Sequence, residues 1–400
     1  MTLTLILIAI AAACIGGQVN RGIYRLAWNK RQISPWSKAP SEAAPRTWLD
    51  CIPIYGWLRL RRESNLHGQA FWLRPLMIEL CLATGLAALY WFEMNLGIYP
   101  IGAIQPAESV IQIQFLSHAC LICLLTVATF IDFDEQTIPD EITIPGMLLG
   151  FVLGAFLPMS LLPAWSTFEP PHAIAPLWLT QPQPWSDSLD GNWGIGIAIM
   201  CIVGWWYALV PKRLWYRSGL TRFLRYLAAS IRRSPGTPLV SALAIALLVF
   251  TLIIWWLGGS RWHGLLTTLV GMAAGGGVIW AVRVIANVAL GEEAMGFGDV
   301  TLMGMIGAFM GWQPALVVFF LAPFTGIFLS LGRFLFWGRK DIAYGPFLSL
   351  AALLAIFFWP PIWDRWGLTV FSMGWLIPAI FGVCLLLMGL MLAAIRRFRS

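Results

Sequence analysis

The chain has 400 residues, 59% of them hydrophobic and only 11% charged, with 23 tryptophans and a mean hydropathy of +0.75. That balance excludes an ordinary soluble globule, and with it the domain-count arguments drawn from soluble folds. The net charge of +7 reads as membrane topology rather than a nucleic-acid footprint, since no recognised nucleic-acid motif accompanies it. Seven cysteines fall mostly inside apolar stretches. Cys120 and Cys123 form a C-x-x-C within the run 111–131, where they read as helix-packing residues, and no disulfide framework is implied.

Apolar runs long enough to cross a bilayer are predicted at 2–19, 75–95, 111–131, 142–163, 194–211, 238–257, 264–286, 300–312, 314–334, 344–360 and 369–393. The expected fold is therefore all-α, a polytopic transmembrane bundle of about eleven spans with a small N-terminal cytoplasmic domain. Residues 1–17 lack a basic start and a cleavage site, so they read as a retained anchor. Segment 21–74 holds ten lysines and arginines, 212–233 seven, 333–340 three and 396–399 three, while only Arg261 and Arg365 fall in alternate loops. The positive-inside rule then puts the N-terminus outside and the C-terminus inside.

The expected organisation is an anchor (1–20), a cytoplasmic domain (21–74), helices carrying a first acidic motif (75–163), an insertion (164–260) and helices carrying a second motif (261–400). Within the insertion, 164–193 reads as an irregular external loop with Glu169, Asp187 and Asp190. The stretch 212–237, with Arg222, Arg225, Arg232 and Arg233 among apolar residues, reads as a partner for anionic lipid headgroups.

Carboxylates are scarce, 19 in all, and acids at membrane depth mark function. Asp132 stands at the end of one apolar helix and Asp299 at the start of another, both on the predicted cytoplasmic side. Two acids held a few ångströms apart share one proton, because like charges resist ionising together, and such a pair can hydrolyse a peptide bond. Gly296 and Gly298 let the backbone turn tightly and a substrate strand come close, and the helix start favours negative charge at Asp299. Asp134 and Asp140 are candidate supporting residues, a motif neighbour and a cap or ion-pair residue at the turn. On the residues alone, a proton- or ion-coupled transporter also stays open.

The stretches Ile131 to Asp134, Ile138 to Asp140 and Ile142 to Pro145 resemble the first aspartate motif of type IV prepilin peptidases. Glu293 to Met303, with Ile306 to Trp312 behind it, resembles the second, the Gly-x-Gly-Asp motif. Tyr344 to Leu348 resembles the family's Phe-Gly-Pro turn. Gly17 to Asn20, Tyr24 and Arg25 resemble the opening helix, and Asp50 to Leu58, Arg74 and Glu79 the cytoplasmic domain.

The resemblance implies that Asp132 and Asp299 are the catalytic pair of an aspartic endopeptidase of the bacterial inner membrane. Such an enzyme removes the leader of prepilin or pseudopilin precursors, typically after a glycine, on the cytoplasmic side. The substrate helix would lie beside the third, fourth, seventh and eighth spans. Peptide hydrolysis implies no cofactor. Typical members carry two C-x-x-C pairs for zinc, whereas 21–74 holds Cys51 alone and His67 reads as a surface histidine, so no zinc is expected. Many members also methylate the new N-terminus with S-adenosylmethionine. Asn20, Tyr24, Arg25, Arg74 and Glu79 leave that open here, and an inactive relative serving pilus or secretion assembly is a further alternative. The implied partners are precursors and membrane lipids, not nucleic acid.

Overall fold

The structure is a computed structural model, and it describes residues 2–30, 33–95, 97–99, 102–165, 173–210, 236–291, 295–337 and 343–399. Glu169, Glu293 and Arg222, Arg225, Arg232 and Arg233 of the basic insert lie outside the described residues. In lipid a backbone has only itself to bond with, so long apolar runs close into helices. The helices are α1 (Thr2–Leu26), α2 (Leu73–Asn95), α3 (Glu108–Glu135), α4 (Asp140–Phe156), α5 (Asn192–Leu209), α6 (Gly236–Leu257), α7 (Gly259–Leu290), α8 (Phe297–Met310), α9 (Trp312–Trp337), α10 (Gly345–Phe357) and α11 (Leu376–Arg399). The chain is an all-helical, multi-pass membrane protein.

Each of the eleven predicted runs lies on a helix, but not every helix is a simple crossing. Among the described residues, eight helices are long and apolar enough to span a membrane: α1, α2, α3, α5, α6, α7, α9 and α11. At 1.5 Å per residue, the 14 residues of α8 reach only about 21 Å, short of a hydrocarbon core of about 30 Å. From Asp299 to Met310 every residue of α8 is buried, so it is a core helix wrapped by its neighbours. The α10 run breaks after Phe357 and continues as Trp359–Phe371 at an angle of 87°. Pro360 and Pro361 supply the reason, since proline removes a backbone donor and crowds the preceding turn.

The most extensive helix contact is α7 against α8. Gly271 and Gly307 meet there backbone to backbone, and a Cβ on either would strike the carbonyl oxygen of the other. Small residues let helices approach this closely in lipid, where packing rather than solvent exclusion drives association.

The expected irregular loop after α4 is more ordered than its composition suggests. Pro163–Trp165 (β1) pairs antiparallel with Ile174–Pro176 (β2), and Leu161, Leu162, Ala164 and Leu177 are buried. Four side-chain donors clamp it to the bundle: Trp312 Nε1 to the Leu179 carbonyl (2.8 Å), Gln313 Nε2 to that of Trp178 (2.9 Å), Trp359 Nε1 to that of Pro163 (2.8 Å) and Trp262 Nε1 to that of Leu189 (2.8 Å). Part of the tryptophan excess is explained by these indoles, which are apolar enough for the bundle and still satisfy loop carbonyls.

Between α1 and α2 the chain makes only short helical turns, including Trp48–Cys51 and Tyr55–Leu60. Buried ion pairs hold it: Arg46 with Glu63 (2.7 Å), and Asp50 with Arg62 (2.9 Å) and Arg59 (3.3 Å). Burial alone would push Asp50 up. The Thr47 backbone N–H and the two guanidiniums outweigh it and hold the carboxyl below the usual carboxylate range. His67 is half-buried rather than a free surface residue, 3.5 Å from Glu63 and packed on Phe71.

Candidate active site

Asp132 lies in the last turn of α3. The helix closes with Gln136, whose left-handed backbone (φ 54°) donates from N–H to the Asp132 carbonyl at 2.9 Å, a common way for helices to stop. Pro139 then occupies the capping position of α4, and Asp140 is its first helical residue. Asp299 is the third helical residue of α8, behind Gly296 at the cap. Arg283 fastens the approach to α8: its Nε donates to the Met295 carbonyl at 2.8 Å and its guanidinium lies over Phe297.

The two carboxylates are both buried, Asp132 4% and Asp299 9% exposed, and near enough for the charge of one to act on the other. Two neighbours set their geometry. The backbone N–H of Gly345 donates to Asp132 Oδ2 at 3.0 Å. Ile138 lies between the two halves of the site. A Cβ on Gly345 would meet Asp132 Oδ2 at 2.6 Å and Ile138 Cδ1 at 2.9 Å, and a Cβ on Gly298 would meet Ile138 Cβ at 2.9 Å. Both glycines are thus required by space. Gly296 is different, being exposed, with Asp299 Oδ2 among the nearest atoms to a Cβ there, at 3.9 Å. That leaves room at Asp299 for another backbone to approach. Tyr344, just before α10, belongs to the same cluster: burial and then the Asp299 charge push its hydroxyl up to about 12.

The predicted supporting residues separate. Asp134 is bound bidentately by Arg74 Nη1 (2.8 Å to each oxygen), while Arg74 Nη2 donates to the Phe130 carbonyl at 3.1 Å. With both side chains about a third exposed, this pair ties α2 to the end of α3 and contributes at most about 1 kcal/mol. Glu135 accepts from the Trp28 and Asn29 N–H groups at 2.6 and 2.8 Å, so the chain leaving α1 docks at the same end of the bundle. Nothing in the local sequence signalled this contact, nor the role of Gly345.

Of the five residues considered for methylation, Asn20 and Glu79 touch. Asn20 Nδ2 donates to the Pro75 carbonyl (2.9 Å) and to Glu79 Oε1 (3.2 Å), which also accepts from Trp57 Nε1 (2.8 Å), while Glu79 Oε2 accepts from the Ile54 N–H (2.5 Å). Tyr24 is buried, Arg25 is exposed and Arg74 is committed to Asp134. A cavity of about 270 Å³ beside Glu79 is lined by residues including Gln18, Trp36, Cys51 and Trp57. Both Glu79 oxygens are already used by the fold. Cys51 Sγ donates to the Pro35 carbonyl at 3.6 Å, and among the described residues no group of three or more metal-binding side chains is assembled.

Comparison with known proteins bears on the same residues. Over 124 residues the chain is 33% identical to a prepilin leader peptidase/N-methyltransferase of Aeromonas hydrophila, covering 28% of this chain and 42% of that protein. A protein of the same name from Escherichia coli K12 is 32% identical over 111 residues, 26% of this chain and 49% of that one. One from Pectobacterium carotovorum is 27% identical over 161 residues, 33% and 56%. The matched region thus spans about half the length of these relatives. No solved structure matches the chain. The profile of the type IV leader peptidase family matches residues 119–171 and 194–331, a similarity that takes in both Asp132 and Asp299 with the helices that present them.

Proposed function

We propose that this chain is a membrane aspartic endopeptidase that cleaves the leader from prepilin or pseudopilin precursors, with Asp132 and Asp299 as its catalytic pair. The observation that carries the reading is the meeting of two buried carboxylates, from the end of α3 and the start of α8, beneath the Gly345 amide.

Such a pair holds one proton between two acids. The ionised carboxylate takes a proton from a water as its oxygen attacks the scissile carbonyl. The protonated acid donates to the carbonyl oxygen, giving a tetrahedral intermediate. A carboxyl then protonates the amide nitrogen, the C–N bond breaks as a diol hydroxyl returns its proton to a carboxylate, and the dyad ends with one proton, as it began. The Gly345 N–H fixes the Asp132 carboxylate, and exposed Gly296 leaves a path for the substrate backbone beside Asp299. Asp134 and Asp140 act at the turn that carries Asp132, not on the substrate. No metal or cofactor enters this reaction.

The predicted cytoplasmic side follows from the basic segments. The chain leaving α1 at Trp28 and Asn29 shares one end of the bundle with Asp132 through the Glu135 contact, and basic flanks stay inside. A precursor with a basic leader would therefore present its cleavage site there, at the inner membrane of a bacterium. Precursor processing in membranes tests the proposal, with Asp132→Asn and Asp299→Asn each expected to abolish cleavage while the protein still inserts. Full processing by both variants would sink it, and the mass of the wild-type product reads directly whether a methyl group is added.

A further inference from the structure

The turn that opens α10 brings a second group to the dyad besides the Gly345 amide. Tyr344 is the N-terminal cap of α10, with φ −83° and ψ −28°. Its carbonyl accepts from the Phe347 N–H at 3.0 Å and from the Leu348 N–H at 3.3 Å. Its ring meets that of Phe347 edge to face, with centroids 6.1 Å apart. Backbone and ring are thus both held. Consecutive Cα atoms lie only about 3.8 Å apart, and the next amide already touches Asp132 Oδ2, so Tyr344 stands beside the dyad.

The far end of the side chain has no partner of its own. Tyr344 is half-buried, yet its hydroxyl makes no hydrogen bond to another described residue, and what acts on it is burial and the charge of Asp299. Asp299 presents the complementary case. Its carboxyl is buried and receives no hydrogen bond from the described residues, whereas Asp132 has the Gly345 amide. One site therefore holds a donor without an acceptor and an acceptor without a donor, close enough to interact through charge but not bonded. Leaving buried polar groups unpaired is costly. In resting enzymes such catalytic hydrogen bonds are often open, and they close on the substrate.

A donor to a reacting oxygen must keep its proton throughout. Burial and then the Asp299 charge push the Tyr344 hydroxyl up to about 12, so it stays a neutral O–H wherever the dyad holds its single proton. Such a group lends a hydrogen bond without giving up a proton. The proton count of the dyad is unchanged by it.

Resting on the peptidase reading, we propose that Tyr344 is a further catalytic residue, whose Oη–H donates to the scissile carbonyl oxygen as water adds to the carbonyl carbon. No bond to the tyrosine forms or breaks. The proton that the carbonyl oxygen gains still comes from an aspartate, and the tyrosine adds a second hydrogen bond to the same oxygen. That bond strengthens as negative charge builds there, so it favours the transition state over the bound precursor. The Phe-Gly-Pro turn that this stretch resembles begins with a ring that has no hydroxyl. The donor is thus an addition made by this chain.

The test uses the full-length protein in lipid nanodiscs with one purified precursor. Tyr344→Phe keeps the ring and removes only the hydroxyl. It is expected to lower kcat about tenfold with KM unchanged. The loss is smaller than for a sole oxyanion donor because an aspartate shares the oxygen. The pH profile of kcat/KM should keep its shape, and a shifted profile would overturn the inference by showing that the hydroxyl acts on the dyad's own proton. A second measurement compares two precursor peptides altered at the cleaved bond. One carries a difluoroketone, which hydrates to a diol resembling the intermediate, and the other a methylene-amine link that lacks the oxygen. Tyr344→Phe should bind the first about tenfold more weakly and the second as wild type does. A near-normal kcat, or equal weakening of both peptides, overturns the role of Tyr344 and leaves the peptidase reading standing. A wild type that cleaves no precursor overturns the peptidase reading, and this inference with it.

Discussion

The amide of Gly345 donates to Asp132 Oδ2 at 3.0 Å across 213 positions of sequence. The carboxylate is therefore oriented by the start of α10, not by its own helix. Its only space for that contact is the missing side chain, since a Cβ would meet Oδ2 at 2.6 Å and Ile138 Cδ1 at 2.9 Å. Gly345→Ala is expected to keep the protein in the membrane and to lower kcat on the order of 100-fold, the cost of misplacing a reacting group by about 1 Å. Single-turnover cleavage of a purified precursor measures it, and a near-normal rate would remove Gly345 from the site.

Gly298 and Ile138 predict a rescue. Gly298→Ala places a methyl against Ile138, 2.9 Å from its Cβ, which pushes apart the two segments bearing the aspartates. Removing the opposing Cβ in Gly298→Ala/Ile138→Gly relieves its closest contact. This glycine double variant should recover at least tenfold of the activity lost by Gly298→Ala, a coupling within the range of directly touching residues. Additive losses would mean that Gly298 matters for the bend of the backbone alone.

Glu79 accepts from Asn20, Trp57 and the Ile54 amide, so it pins the segment after α1 to α2. Glu79→Leu strands three donors at once and should destabilise that docking on the order of 3 kcal/mol. Limited proteolysis between residues 33 and 72 is the measurement, with faster cutting than in wild type as the expected result. Equal protection in the two proteins would show that Glu79 is free for another task.

The same segment carries a pH dependence of known sign. Asp50 is held below the ordinary carboxylate range when folded, so its stabilisation is complete above the unfolded carboxylate value and drains away as pH falls through the folded one. Hydrogen exchange around Thr47 to Cys51 should accelerate in acid, below the usual carboxylate range. Asp50→Asn should exchange fast already at neutral pH and lose that dependence. An acid-insensitive wild type would contradict the assignment.

Much of this site was legible in one dimension. Asp132 and Asp299 stood out because carboxylates are scarce and each abuts an apolar run, and the turn signals Pro139 and Gly296 mark helix ends by their own backbone chemistry. What the sequence hid is what depends on contacts between distant segments. A hydropathy window sees α8 as a crossing, since a helix buried among helices is as apolar as one facing lipid. The clamps from Trp312, Gln313 and Trp359 turned an apparently irregular loop into a fixed cap. A main-chain donor such as Gly345 N–H carries no residue identity to read.

That cap also sets an order on biosynthesis. The loop from Pro163 to Leu189 is made early, but the side chains that hold its carbonyls, Trp262, Trp312, Gln313 and Trp359, leave the ribosome 73 to 196 residues later. Until then those carbonyls lack their partners from the bundle. The Gly345 amide arrives in the same late stretch. A partly made chain therefore has both an unclamped loop and an unaligned aspartate, and the two are completed in the same stretch of the chain.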